Sequence, residues 1–275
     1  MSAGDGRPHL HLVSDSTGET LDAVAKAALA QFEDGAVLRH FWPMVRTGGH
    51  MDRVLMAVVQ QPGLVLHTFA DGGLRDRLES RCREANMPAV SVLDPVVGCL
   101  SHLLGRPASA RVGRQHVMDA AYFARVDAIQ FSIAHDDGVL PENWEEADIL
   151  LAGVSRTSKT PTAIYLANRG YKVANLPLVP TSPPPPALFA LSHPLVVGLT
   201  TSPDRLIQIR RNRLITMGQA ADTDYVDTEL VMAELAHARR LFADQGWPVI
   251  DVTRRSIEET AAAVIKLLGE RRGET

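Results

Sequence analysis

Short apolar runs alternate with stretches of helical period along most of the 275 residues, and no other feature restricts the possible folds as strongly. "HLHLVSD" (9–15) reads as a buried strand and "TLDAVAKAALAQF" (20–32) as an Ala-rich amphipathic helix. "AVLRHFWPMV" (36–45) is a second strand, followed by a helix around "HMDRVLMAVVQQ" (50–61) that stops at Pro62-Gly63. "LVLHTFAD" (64–71) and "AVSVLD" (89–94) are further strands, separated by the helix "GLRDRLESRCREANM" (73–87), with another helix expected from Pro95. A second series starts at "ADILLAGV" (147–154) and continues through "YKVANLPLV" (171–179), "PLVVGLTT" (194–201) and "WPVIDV" (247–252). This spacing predicts an α/β fold, two lobes of mostly parallel sheet flanked by helices. The expected division is an N-terminal lobe at 1–104, a connector at 105–146 and a C-terminal lobe at 147–275. The connector lacks clean alternation and carries Arg106, Arg111 and Arg114 ahead of a helix near 116–134. The run Pro183 to Pro186 cannot enter a helix interior or a central strand, so it is expected as a stiff extended surface loop. No internal repeat is visible in the sequence.

In parallel sheets, ligands bind beyond the C-terminal ends of the strands. Ser14, Asp15, Asp71 and Asp94 fall at such ends. Each alone is explained as a helix cap or turn residue; together they mark a cleft. Composition removes several classes. With 45% hydrophobic and 22% charged residues the chain builds an ordinary core, and a formal charge of -4 gives no chain-wide grip on nucleic acid. Two cysteines, Cys82 and Cys99, do not make a disulfide framework and are expected as reduced thiols. The first residues lack a basic stretch followed by an apolar core, and no apolar run reaches the roughly 18 residues of a membrane span. A soluble, cytoplasmic protein is therefore expected.

The chemistry concentrates in "LLAGVSRTSKTPTAIYLA" (150–167). Set against G-x-x-x-x-G-K-[ST], the residues Gly153, Val154, Ser155, Arg156, Thr157, Ser158, Lys159 and Thr160 match at Gly153, Lys159 and Thr160. They miss at Ser158, where the pattern has glycine. Serine fits that turn if its φ stays negative. A strand precedes the loop and a helix follows, so free amides and the helix dipole face any anion bound there. Lys159 is placed to pair with phosphate oxygens, and Thr160 to ligate magnesium. Pro161 suits the first helical turn. A second acid for magnesium belongs at a neighbouring strand end, and Asp251 is a candidate that serves equally as a plain cap.

Two further clusters stand out. "AHDDG", with His135, Asp136, Asp137 and Gly138, offers a base and a metal ligand, or simply a turn. "SDSTGET" (14–20) places hydroxyls and a flexible Gly18 ahead of a helix, suited to phosphate or to a helix start in which Thr17 caps with Glu19 or Thr20.

These clusters, in this order, resemble the pyruvate, phosphate dikinase regulatory proteins of bacteria and plants. The stretches that carry the resemblance are "VSDSTGET", "YFARVDAIQFSIAHDDG", "GVSRTSKTPTAIYLANRGYKVANLPLVP", "GLTTSPDRLIQIRRNRL" and "SIEETAAAVI", spanning about residues 9 to 268. The related phosphoenolpyruvate synthase regulators typically carry "SRCGKTP" where this chain has "SRTSKTP". The resemblance implies a bifunctional enzyme. ADP, rather than ATP, phosphorylates an active-site threonine of the dikinase and inactivates it; inorganic phosphate then removes that phosphate, releasing pyrophosphate. It implies ADP binding at Gly153 through Thr160 and a dikinase as protein partner; magnesium, with Thr160 as a ligand, is expected from the loop pattern itself. A homodimer is one assembly to test.

Phosphoryl transfer depends on positioning and charge neutralisation, which a loop with Arg156 and Lys159 supplies. Asp15, Asp136 and Asp137 are candidates for the base, left unranked by sequence. Arg210 and Arg211 are candidates to dock the second anion. The rival readings are the same chemistry on phosphoenolpyruvate synthase, a small-molecule kinase using ATP, and a nucleotide-sensing module without catalysis.

Overall fold

A computed structural model describes residues 7–33, 36–109, 120–139, 141–218 and 223–274. Arg111 and Arg114 lie outside the described residues, as does the start of the helix expected near 116. The chain forms two compact units, Met1–Val117 and Met118–Thr275.

The first unit runs β1 (His9–Ser14), α1 (Glu19–Leu29), β2 (Leu38–Trp42), α2 (Gly48–Gln60), β3 (Gly63–Thr68), α3 (Gly72–Glu84), β4 (Ala89–Ser91) and α4 (Asp94–Leu104). Its four strands are all parallel, in the order β2-β1-β3-β4. One face of β1 presents Leu10 and Leu12 to Leu21 and Ala25 of α1. On the opposite side Val13 and Val65 pack with Met51, Val54, Val58 and Leu78 of α2 and α3. His11 is fully buried within the sheet; its Nε2 lies 2.8 Å from the carbonyl of Gln61 and its Nδ1 accepts the Trp42 indole N–H at 3.4 Å.

The second unit contains α5 (Ala120–Ala134), β5 (Ile149–Gly153), α6 (Lys159–Ala167), β6 (Val173–Pro177), β7 (Leu195–Thr200), α7 (Pro203–Thr216), α8 (Thr228–Asp244), β8 (Val249–Asp251) and α9 (Ile257–Arg272). Its sheet is also wholly parallel, ordered β6-β5-β7-β8. Every residue of β5 and β7 is buried, the signature of central strands covered on both faces. Leu150, Ala152 and Val196 pack towards Leu206, Leu235 and Phe242 of α7 and α8. Ile149, Leu151 and Val197 pack towards Ala163, Leu166, Val264 and Leu268 of α6 and α9. Both sheets therefore confirm the α/β architecture expected from the alternation. The proline run leaves the sheet after β6 and ends where Pro186 opens a short 3-10 helix, Pro186–Ala190, anchored by buried Leu188.

Candidate functional site

The loop between β5 and α6 starts at a glycine for a steric reason. A Cβ on Gly153 would lie 2.6 Å from the carbonyl oxygen of Leu199 on β7 and 2.9 Å from Thr157 Oγ1. From there the chain folds around one carbonyl. The oxygen of Val154 accepts hydrogen bonds from Thr157 Oγ1 at 2.9 Å and from Lys159 Nζ at 3.0 Å. Thr157 is fully buried, so its hydroxyl shapes the loop from inside.

Two residues then take left-handed backbone, Arg156 at φ 74° and Ser158 at φ 61°. This corrects the expectation that Ser158 keeps a negative φ. The position demands the conformation of glycine and obtains it from serine, a strain on the order of 1 kcal/mol. Left-handed residues alternating with ordinary ones turn successive amides inward, the geometry of an anion-binding nest. Ser158 is also the N-cap of α6 and provides no side-chain hydrogen bond, leaving the first amides of that helix without a side-chain acceptor.

Ser155, Arg156, Ser158, Lys159 and Thr160 line a cavity of about 340 Å³, with Asp137 on its wall. Lys159 is only 6% exposed. Burial pushes its pKa down to about 8, while the carboxylates of Asp137 and Asp136 act in the opposite direction. A buried ammonium that donates to a backbone carbonyl and faces a cavity is prepared to receive an anion.

The "HDDG" segment approaches the loop through a residue that sequence reading did not single out. Asn175 of β6 donates its backbone N–H to the carbonyl of His135 at 2.9 Å. Its side-chain Nδ2 donates to Asp136 and, at 3.0 Å, to Thr160 Oγ1. Thr160 Oγ1 in turn donates to the Asp136 carboxylate at 3.1 and 3.3 Å. The only signal in the sequence was a polar residue inside "VANLP", where the neighbouring positions are apolar and buried. Asp137 follows in left-handed conformation at φ 54°. His135 is packed into the protein: its ring stacks on Phe131 with centroids 3.8 Å apart and its Nδ1 meets the Phe131 carbonyl at 2.7 Å.

Three other candidates are engaged in contacts of their own. Arg210, expected to dock an anion, is 1% exposed and pairs with Glu234 at 2.6 Å. It donates to the carbonyls of Tyr225 and Ser155 at 3.0 and 3.3 Å, bracing the loop; Arg211 is the exposed neighbour. Asp251 ends β8, which neighbours β7 and not β5, and it accepts from Thr253 N at 2.8 Å. It is a turn residue, and the acid beside Thr160 is Asp136. Asp15 belongs to the first unit, where its buried carboxylate accepts from the amides of Ala70 and Asp71 at 2.6 and 3.4 Å. The helix that follows has Gly18, rather than Thr17, at its N-cap position.

The sequence profile described as Kinase/pyrophosphorylase matches residues 10–265. The chain belongs to this family. The family's two activities need a nucleotide and a phosphate. A relative from Rhizorhabdus wittichii, named "Putative pyruvate, phosphate dikinase regulatory protein", is 66% identical over 96% of this chain and 97% of its own length. Proteins of the same name from Sphingopyxis alaskensis and Caulobacter vibrioides are 66% and 55% identical, covering 96% of this chain and 98% and 84% of their own. The family resemblance read from the motifs is thus borne out, and this kinase/pyrophosphorylase is an enzyme. Among the described residues no helix is long and apolar enough to cross a membrane, and no group of three His, Cys, Asp or Glu is arranged to hold a metal.

Proposed function

We propose that the chain inactivates and reactivates a pyruvate, phosphate dikinase, using ADP and inorganic phosphate in turn at the loop Gly153 to Thr160. The observation that carries this reading is buried Lys159, set between a nest of left-handed loop residues and the Asp136–Asp137 pair. The names of the relatives support the choice of a dikinase over phosphoenolpyruvate synthase as target.

In the forward step the threonine hydroxyl of the target attacks the β-phosphorus of ADP. The bridging P–O bond breaks, AMP leaves, and the hydroxyl proton passes to a carboxylate. Asp137 suits that base best, because it lines the cavity while Asp136 is held by Thr160 and Asn175. In the reverse step an oxygen of inorganic phosphate attacks the phosphothreonine. The threonine oxygen leaves, takes a proton back from the same acid, and pyrophosphate is released. Lys159, Arg156 and the loop amides neutralise the phosphate charge in both directions. The Thr160 hydroxyl and Asp136 carboxylate are hard oxygen donors that fit magnesium, an ion that keeps several waters and needs few protein ligands. When bound, it would supply further charge neutralisation at the phosphates.

The test mixes the protein with a dikinase charged on its catalytic histidine, adds ADP, and follows dikinase activity and phosphothreonine by mass spectrometry. Inactivation with a new phosphothreonine, reversed by phosphate with pyrophosphate release, is the expected result. Asp137→Asn is expected to keep ADP binding and to lose about 10²- to 10⁴-fold in transfer rate, the usual contribution of a positioned base. The same chemistry on phosphoenolpyruvate synthase alone would move the target. ADP binding without any phosphoprotein would leave a nucleotide sensor.

A further inference from the structure

Behind the loop sits a network that the transfer chemistry does not use. Tyr225 lies in a short 3-10 helix, Asp224–Val226, and its hydroxyl is 3.2 Å from Ser155 Oγ. Arg210 fixes both partners. One guanidinium nitrogen donates to the Tyr225 carbonyl at 3.0 Å, the other to the Ser155 carbonyl at 3.3 Å, and the guanidinium carbon stands 4.4 Å from the centroid of the Tyr225 ring. Glu234 of α8 accepts from both nitrogens, at 3.3 and 2.6 Å, which orients the guanidinium and balances its charge at 1% exposure. Ser155 is the residue at which this network meets the cavity wall.

A serine hydroxyl has one hydrogen to give and two lone pairs to receive. The 3.2 Å contact admits either direction, and the phenol, as the more acidic partner of a phenol–alcohol pair, is the better donor to Ser155 Oγ. The Ser155 hydrogen is then free to point into the cavity, where an anionic oxygen accepts it. If Ser155 instead donated to Tyr225, its lone pairs would face the phosphate and repel it.

We propose that Tyr225 is a positioning residue for phosphate recognition: it fixes the Ser155 hydroxyl as a donor to the phosphoryl groups of ADP and to inorganic phosphate, with Arg210 and Glu234 holding it in place. This rests on the assignment of the loop as the phosphate site. It makes Ser155 a binding residue through its side chain, in addition to its place in the loop backbone.

A double-mutant cycle separates this role from general support of the fold. ADP affinity is measured by titration calorimetry on the full-length wild type, Tyr225→Phe, Ser155→Ala and the double variant, with Lys159→Ala beside them. Tyr225→Phe keeps the ring and its cation contact and removes only the hydroxyl. It is expected to weaken ADP by roughly three- to tenfold, the effect of one hydrogen bond. The KM for inorganic phosphate in the reverse reaction should rise similarly, with kcat within about twofold. In the Ser155→Ala background the same substitution should cost nothing further, because its partner is gone. Equal losses in both backgrounds, or Tyr225→Phe binding ADP like the wild type while Lys159→Ala does not, would overturn the proposal and leave the loop assignment intact. Lys159→Ala binding ADP like the wild type would remove the loop assignment itself, and this proposal with it.

Discussion

The two units carry the same strand order on the same all-parallel plan, β2-β1-β3-β4 and β6-β5-β7-β8, and their first turns are built alike. In each, the central strand leads into a helix whose N-cap is left-handed and makes no side-chain hydrogen bond: Gly18 at φ 80° and Ser158 at φ 61°. The charges placed on that common frame are opposite. The first turn of α1 carries Glu19 and Asp22, and the preceding Asp15 already occupies the amides of Ala70 and Asp71. The first turn of α6 carries Lys159 and no acid. A helix N-terminus attracts anions in either unit; in the second a buried lysine and a cavity of about 340 Å³ lie at it, whereas in the first the Arg46 guanidinium is spent on the Asp15 carbonyl at 2.7 Å. Topology offers the position; the residues on it decide whether phosphate binds.

The largest expected difference comes from Lys159→Ala. Loss of a charge-assisted contact worth roughly 1.5–3 kcal/mol should weaken ADP about 10- to 150-fold, with little change in amide exchange of the first unit. Asp15→Ala tests the other turn. It leaves the amides of Ala70 and Asp71 unsatisfied, which should destabilise the first unit by about 1–3 kcal/mol while ADP affinity, read by calorimetry, stays within twofold. If that affinity collapsed as it does for Lys159→Ala, the contrast between the turns would be wrong.

Smaller effects come from exchanging the two caps. Gly18→Ser imposes left-handed backbone on a side chain whose Cβ would sit 2.7 Å from the Phe41 ring, so exchange protection in the first unit should drop by about 1–2 kcal/mol. Ser158→Gly relieves the same strain but frees the unfolded chain, and should alter stability by less than about 1 kcal/mol with ADP binding retained.

The smallest effects are those of pH; both units gain stability as pH rises, in different windows. Burial holds His11, His40 and His67 below the ordinary histidine value of 6.5. Below 6.5 the unfolded chain takes up protons that the folded first unit resists, so its stability falls as the pH drops through that window. Lys159 stands at about 8 against 10.5 when unfolded. Between those values the unfolded chain holds more protons, so this group favours the folded second unit as pH rises. ADP needs the ammonium form, so its affinity should decline above pH 8. Exchange measurements from pH 5 to 7 and ADP titrations from pH 7 to 9 check the two signs.

Much of the frame was legible before any coordinates. Alternating apolar runs mark the eight strands of the described residues within a few residues, most firmly β5 and β7, because a strand buried on both faces has to be continuously apolar. The loop was legible because Gly153, Lys159 and Thr160 are local in sequence, and local spacing survives folding. The matching topology of the units was not, since strand order depends on which edges pair and no repeated sequence records it.

What the sequence determined by itself is the α/β class, the position of the strand-to-helix loop at Gly153 to Thr160 and the family, all fixed by periodicity and by short motifs whose parts are neighbours in the chain. Tertiary structure alone decided what surrounds that loop. Asn175 reaches Asp136 across 39 residues and Arg210 reaches Ser155 across 55, so neither contact leaves a local pattern. It also turned Arg210 from an expected anion ligand into a brace, because a guanidinium in a 1% exposed site must be paired, and Glu234 and two carbonyls were the partners within reach.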